Sequence, residues 1–196
     1  MSVDGIILAA GFSERAKDFK PSLDIFGKPL MVRTIENMIN FCQNIIIIGG
    51  HNYSQLCEIT NGIPKIRLLK NENYKSGMFS SVRIGVKQVK GNRFFIIPGD
   101  QPAVRPETFE LMLKCNQQIV IPKYKNKKGH PVLFSSNLIS EILEYPDTEI
   151  LRNYIHSKEV HILDVNDPGI GMDVDTPDDY QKVLTYYECN FISNES

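Results

Sequence analysis

Five short apolar runs constrain the fold of this 196-residue chain more than any other feature: residues 6–8, 45–48, 66–69, 94–97 and 119–121. Each is too short for a helix, and the runs at 6–8, 45–48, 94–97 and 119–121 are unbroken rather than alternating, as in strands buried on both faces of a parallel sheet. The segments between them carry helical period. Leu30, Ile35, Met38, Ile39 and Cys42 share one face, with Pro29 suited to be the first helical residue. Met78, Val82, Val86 and Val89 form a second stripe, and Phe109, Met112 and Leu113 a third behind Pro106. Strands alternating with helices are the βαβ pattern, whose crossovers are right-handed.

The second half changes character. Residues 123–128 are polar, Asn126-Lys127-Lys128-Gly129 reads as a turn, and Pro131-Val132-Leu133-Phe134 resumes an extended run. A helix carrying Leu138, Ile139, Ile142 and Leu143 follows, and then a shorter one around 150–155. Thr176-Pro177-Asp178-Asp179 has the form of an N-cap, a first-turn proline and acidic residues at the positive helix end; Tyr180, Val183, Leu184 and Tyr187 supply the inner face. The expected fold is α/β: one Rossmann-like three-layer domain over residues 1–196, with a mostly parallel sheet and a small antiparallel excursion in the second half.

Composition narrows the function classes. Formal net charge is −1, so phosphate binding must come from a local site, and neither nucleic acid nor a membrane is expected as a partner. The longest apolar run is far shorter than a bilayer span, and the first residues lack the pattern of a signal peptide, so a cytoplasmic protein is expected. Four cysteines without C-x-x-C spacing argue for indifferent thiols over a zinc site or a disulfide framework.

In an open α/β sheet the ligand lies beyond the carboxyl ends of the strands, so the residues after each apolar run are the candidates. After the first run, Leu8-Ala9-Ala10-Gly11 lets backbone N–H groups approach a ligand, and Arg15 and Lys20 bring two cations to the same loop, a combination that suits a polyphosphate. After the fourth comes Gly99-Asp100, a carboxylate placed as Mg²⁺ on nucleotide phosphates requires. Asp173 and Asp175 alternate with Val174 and so share a face, where two carboxylates would hold a cation or cap the following helix. Gly77 ahead of Ser80 and Ser81 makes a helix N-terminus with free N–H groups. His130 serves equally well as a turn residue or a substrate contact, and His51 has no assigned task.

These motifs also carry a resemblance. Leu8-Ala9-Ala10-Gly11 with Ser13, Arg15 and Lys20 is similar to the opening loop of the molybdenum cofactor cytidylyltransferase family, although Ala16-Lys17 stand where that family usually has Met-Gly. Gly99-Asp100-Gln101-Pro102, the Gly77-Met78 to Arg83 element, Gly129-His130-Pro131-Val132-Leu133-Phe134 and Asp173 to Asp179 resemble its further motifs. Around residues 145–152 the family's glycines are missing. The resemblance implies a Mg²⁺-dependent nucleotidyltransferase that joins CTP to the molybdenum–molybdopterin cofactor, releases pyrophosphate and supplies a molybdenum hydroxylase. It implies catalytic roles for Arg15 and Lys20, and nucleotide contacts from Leu8, Ala9, Ala10, Gly11, Ser80, Ser81 and Gly99. Asp100 and Asp175 would hold the metal, and His130 would face the acceptor. The alternatives are GTP or another acceptor on the same chemistry, or a carrier of the finished cofactor without catalysis.

Overall fold

The structure, a computed structural model, describes residues 2–11, 20–146 and 148–192, with Phe191 and Ile192 described through their backbone alone. The first apolar run becomes β1 (Val3–Ala9), followed by a hairpin of two short strands, β2 (Asp24–Ile25) and β3 (Lys28–Pro29). Then come α1 (Leu30–Met38), β4 (Asn44–Gly49), α2 (Tyr53–Thr60), β5 (Ile66–Lys70) and α3 (Met78–Val86). The chain returns through β6 (Arg93–Pro98), α4 (Pro106–Leu113) and β7 (Ile119–Tyr124), which pairs with the two-residue β8 (Lys127–Lys128). β9 (Val132–Ser135), α5 (Ile139–Glu144), α6 (Leu151–His156), β10 (His161–Asp164) and α7 (Pro177–Tyr187) complete the order.

All five apolar runs are strands of one sheet, ordered β10-β7-β9-β6-β1-β4-β5 with β8 beside β7. β4, β1, β6 and β5 pair in parallel, as do β7 and β10, while β9 runs antiparallel between β6 and β7. The antiparallel segment is thus built into the sheet. Strand alternation sends Ile7, Ile47, Phe95 and Ile97 to one face against α1 and α4, and Ile6, Leu8, Ile46 and Ile96 to the other against α3, α5 and α6. These side chains are almost fully buried, and each aliphatic one contributes about 1.5–3 kcal/mol of hydrophobic stabilisation. A third cluster joins Ile25, Leu30, Val174, Val183 and Tyr187, which fastens α7 to the β2–β3 hairpin.

Some local expectations change. Pro29 pairs with Asp24 in the hairpin and is extended (φ −56°, ψ 143°), so it precedes α1 as its N-cap instead of opening it. Ile39 and Cys42 lie beyond the end of α1, although Cys42 is buried, and its thiol is pushed up to about 12 chiefly by that burial. Met78 is not on the buried stripe of α3: it is 63% exposed, and Phe79 takes the inward place. The helix α2 has no counterpart in the sequence reading because it buries only Leu56 and Thr60, too few to create a stripe. Among the described residues no helix is long and apolar enough to cross a membrane.

Candidate functional site

After β1 the chain moves to β4 and β5 on one side; it then returns to place β6 on the other side of β1. That reversal is a topological switch point, where strand ends diverge and open a crevice. Its two edges are tied closely. Leu8 is in register with Pro98, and the Gly99 N–H donates to the Leu8 carbonyl at 2.9 Å. A Cβ on Gly99 would stand 2.8 Å from Met31 Cε and 3.3 Å from Ala9 Cβ, and one on Gly50 would stand 2.5 Å from the Ala10 carbonyl oxygen. Glycine at these two positions lets the strand ends close up beneath the crevice.

The crevice is a cleft of about 450 Å³. Leu8, Ala9, Ala10, Gly11 and Gly99 form its floor, and Lys20, Asp100 and Asp175 converge on it. Lys20 Nζ donates to Asp175 Oδ1 at 2.6 Å; the lysine side chain is 14% exposed and the aspartate 56%. Asp100 is the more enclosed carboxylate, and its Oδ1 is buried without a hydrogen-bond partner. Burial pushes its pKa up to about 6; Lys20 and a backbone hydrogen bond oppose the shift, and the charges of Asp173 and Asp175 add to it. The Val174 N–H donates to the Asp100 carbonyl at 3.0 Å, joining the two aspartate motifs. Val174 is buried with Asp173 and Asp175 exposed on either side, as alternation requires, and of the two aspartates Asp175 lines the cleft.

The other candidates separate. Ser81 lines the cleft and Ser80 does not. Tyr74, Lys75, Gly77 and Met78 also line it, and none was singled out as a contact in the sequence except through the glycine. Gly77 has φ +97°, a conformation that favours glycine, and so turns the chain sharply into α3. The signal that would have found Tyr74 and Lys75 is their place just before that turn. Arg15 lies outside the described residues. His130 is not among the lining residues: its backbone N–H donates to the Ile170 carbonyl at 2.8 Å, and its ring is buried with Nδ1 unpartnered. Burial drives its pKa down to about 4, so the imidazole is neutral near pH 7. His51 stands 3.4 Å through Nδ1 from the Tyr74 hydroxyl, beside the same lip.

A switch-point cleft with a small-residue floor, a lysine and paired carboxylates defines an α/β enzyme built to hold an anionic nucleotide. Residues 5–162 match the MobA-like NTP transferase domain family; the chain belongs to that family and is a nucleotidyltransferase. Among similar proteins, the molybdenum cofactor cytidylyltransferase of Escherichia coli K12 is 27% identical over 180 residues, 91% of this chain and 94% of that protein. A probable molybdenum cofactor guanylyltransferase of Natranaerobius thermophilus is 26% identical over 62% of this chain and 60% of its own length. In fold, a Mycobacterium tuberculosis H37Rv protein, Rv0371c, superposes with a TM-score of 0.80 at 24% identity, covering 94% of this chain and 99% of its own. A structure of the same protein in complex with manganese has a TM-score of 0.77 at 22% identity, with 94% and 99% coverage.

Proposed function

We propose that the protein is a divalent-cation-dependent cytidylyltransferase that joins CTP to the molybdenum–molybdopterin cofactor, giving the cytosine dinucleotide form and pyrophosphate. The convergence of Lys20, Asp100 and Asp175 on a floor of small residues at the switch point carries this reading. The preference for CTP rests on the cytidylyltransferase likeness extending along nearly the whole of both chains, and on Ala9 and Ala10, which suit a small single-ring base.

The donor set fits a hard divalent ion. Asp100 offers a buried, unpartnered oxygen, and Asp175 offers a second carboxylate in the same cleft. Among the described residues no group of three or more His, Cys, Asp or Glu side chains gathers as a metal cage. That suits Mg²⁺, which takes one or two protein carboxylates and completes its shell with water and phosphate. Bound there, Mg²⁺ would neutralise phosphate charge and polarise the phosphoryl oxygens.

The chemistry is in-line attack of an acceptor phosphate oxygen on the α-phosphorus of CTP with pyrophosphate as leaving group, so the protein contributes alignment and charge, with no nucleophile of its own. The small-residue floor from Leu8 to Gly11 and at Gly99 lets the phosphates approach the backbone closely, and Lys20 with Arg15 stabilises charge growing on the pyrophosphate. His130, buried and neutral, supports the side of the site toward the acceptor. The product would pass to a molybdenum hydroxylase. The test is pyrophosphate release with the molybdenum cofactor as acceptor, run with CTP and GTP at varied Mg²⁺. Turnover with CTP is expected to exceed that with GTP by tens to hundreds in kcat/KM, about 2–4 kcal/mol. Equal or greater use of GTP would transfer the protein to the guanylyltransferase reading, and no turnover with either would leave the carrier reading.

A further inference from the structure

Asn71, one residue beyond β5, is 1% exposed and lies behind the lip of the cleft. Its Nδ2 donates to Ser80 Oγ at 2.8 Å and to Ser81 Oγ at 2.9 Å, while its Oδ1 accepts from the Asn73 backbone N–H at 2.9 Å. The last bond determines the others. A backbone N–H can only donate, so the amide oxygen must face Asn73 and the NH₂ must face the helix. Both amide protons are then used, one on each serine. Each serine oxygen therefore accepts, and each hydroxyl proton has to go elsewhere.

The two protons have different destinations. That of Ser80 goes to the Gly77 carbonyl at 2.7 Å, inside the first turn of α3. Ser81 is 2% exposed, and among the described residues its hydroxyl has no hydrogen bond beyond the one it accepts from Asn71, yet it lines the cleft. We propose that Asn71 is a positioning residue that makes Ser81 an obligate hydrogen-bond donor to an acceptor oxygen or ring nitrogen of the bound nucleotide, with Ser80 confined to the helix turn. This rests on the nucleotide reading of the cleft. The two serines, equivalent in sequence, thereby have separate tasks: one closes the helix and one reads the ligand.

The experiment compares steady-state kinetics of Ser80→Ala, Ser81→Ala, Asn71→Asp, Asn71→Ala and the Asn71→Asp/Ser81→Ala pair. Asn71→Asp keeps the shape and the bond from Asn73 but has no N–H, so it draws the serine protons toward itself and away from the cleft. Ser81→Ala and Asn71→Asp are each expected to lower kcat/KM for the nucleotide about 10- to 100-fold, with the KM of the acceptor unchanged. Ser80→Ala is expected to stay within about threefold, and the double variant to be no worse than the weaker single one, because both remove the same donor. Asn71→Ala, which frees the Ser81 hydroxyl to turn, carries the comparison should the aspartate fail to fold; its loss is expected to be smaller, and absent in the Ser81→Ala background. The CTP:GTP ratio locates the acceptor atom: a changed ratio in Ser81→Ala assigns it to the base, an unchanged one to ribose or phosphate. Wild-type kinetics in Ser81→Ala, or losses that multiply in the double variant, would overturn the proposal. If GTP is the true substrate, the same coupling measured with GTP leaves this inference standing while the cytidylyl reading falls.

Discussion

The two walls of the cleft are built differently. One consists of the ends of β1 and β6, where a parallel ladder from Val3↔Arg93 to Leu8↔Pro98 and side chains with almost no exposure fix the backbone before any ligand arrives. The other, from Met172 to Asp175, has no ladder: it is held by the Val174 N–H on the Asp100 carbonyl, the Lys20–Asp175 pair and the cluster around Val174. The carboxylates differ accordingly, Asp100 enclosed with an unpartnered oxygen and Asp175 mostly in solvent. The end of an interior strand can hold a charge where it is uncomfortable, since the ladders on both sides oppose relaxation; a loop without a ladder cannot, and keeps its carboxylate wet.

The largest effect should come from Asp100→Asn, with at least a hundredfold fall in kcat, against a smaller loss for Asp175→Asn, whose solvent-exposed oxygens water can replace. Pyrophosphate release at limiting Mg²⁺ measures both. Near-normal turnover of the Asp100 variant would remove the metal assignment, and equal losses would remove the distinction between the walls.

Stability should change in the opposite sense. The folded pKa of Asp100, about 6, lies above its unfolded value, so ionising it costs folding free energy as pH rises from about 4 to about 6, a cost that then stays constant. Removing that charge should leave the metal-free Asp100→Asn protein at least as stable as wild type at pH 8, by up to about 3 kcal/mol, with the advantage vanishing below about pH 4. His130 runs the other way. Its folded pKa, about 4, lies below the unfolded value, so stability falls as pH drops from about 6.5 toward 4, and in the wild type Asp100 offsets this. Denaturant midpoints of both proteins across that range give the answer; a variant less stable than wild type at pH 8 would show that Asp100 is well solvated.

Cation removal should be milder. Lys20→Ala is expected to lower kcat/KM for the nucleotide about tenfold or more, and Arg15→Ala similarly, with Lys17 partly covering for a lost neighbour. If both variants keep wild-type kcat and nucleotide KM, the opening loop is not the phosphate site. Smallest is Thr176→Ala. Thr176 and Asp179 form a reciprocal capping box, the Asp179 N–H donating to Thr176 Oγ1 at 3.2 Å and the Thr176 N–H to Asp179 Oδ2 at 3.1 Å. Losing it should cost about 1 kcal/mol and weaken Mg²⁺ activation, because Asp175 directly precedes the N-cap Thr176 and α7 begins at Pro177. Thermal midpoint and the Mg²⁺ dependence of turnover check the two parts separately; an unchanged Mg²⁺ dependence would mean that the loop wall is placed without its helix.

Local signals determined much of this protein. Apolar runs specified β1, β4, β5, β6 and β7, the spacing of Pro106, Phe109 and Met112 specified α4, and Thr176 to Asp179 specified the start of α7, since each depends on neighbours a few residues away. The cleft was legible as far as strand ends show it: Leu8 ends one apolar run, and Ala9 to Gly11, Gly99 and Asp100 come just after apolar runs. Tertiary structure alone decided the rest. Nothing local shows that β9 enters between β6 and β7, that Lys20 meets a carboxylate 155 residues away, or that Asn71 reaches across to two serines, because these depend on strand order and helix docking. Ser80 and Ser81 make the division plain: adjacent and chemically identical, they are told apart by the 100° helical step between them and by where one buried amide points its protons.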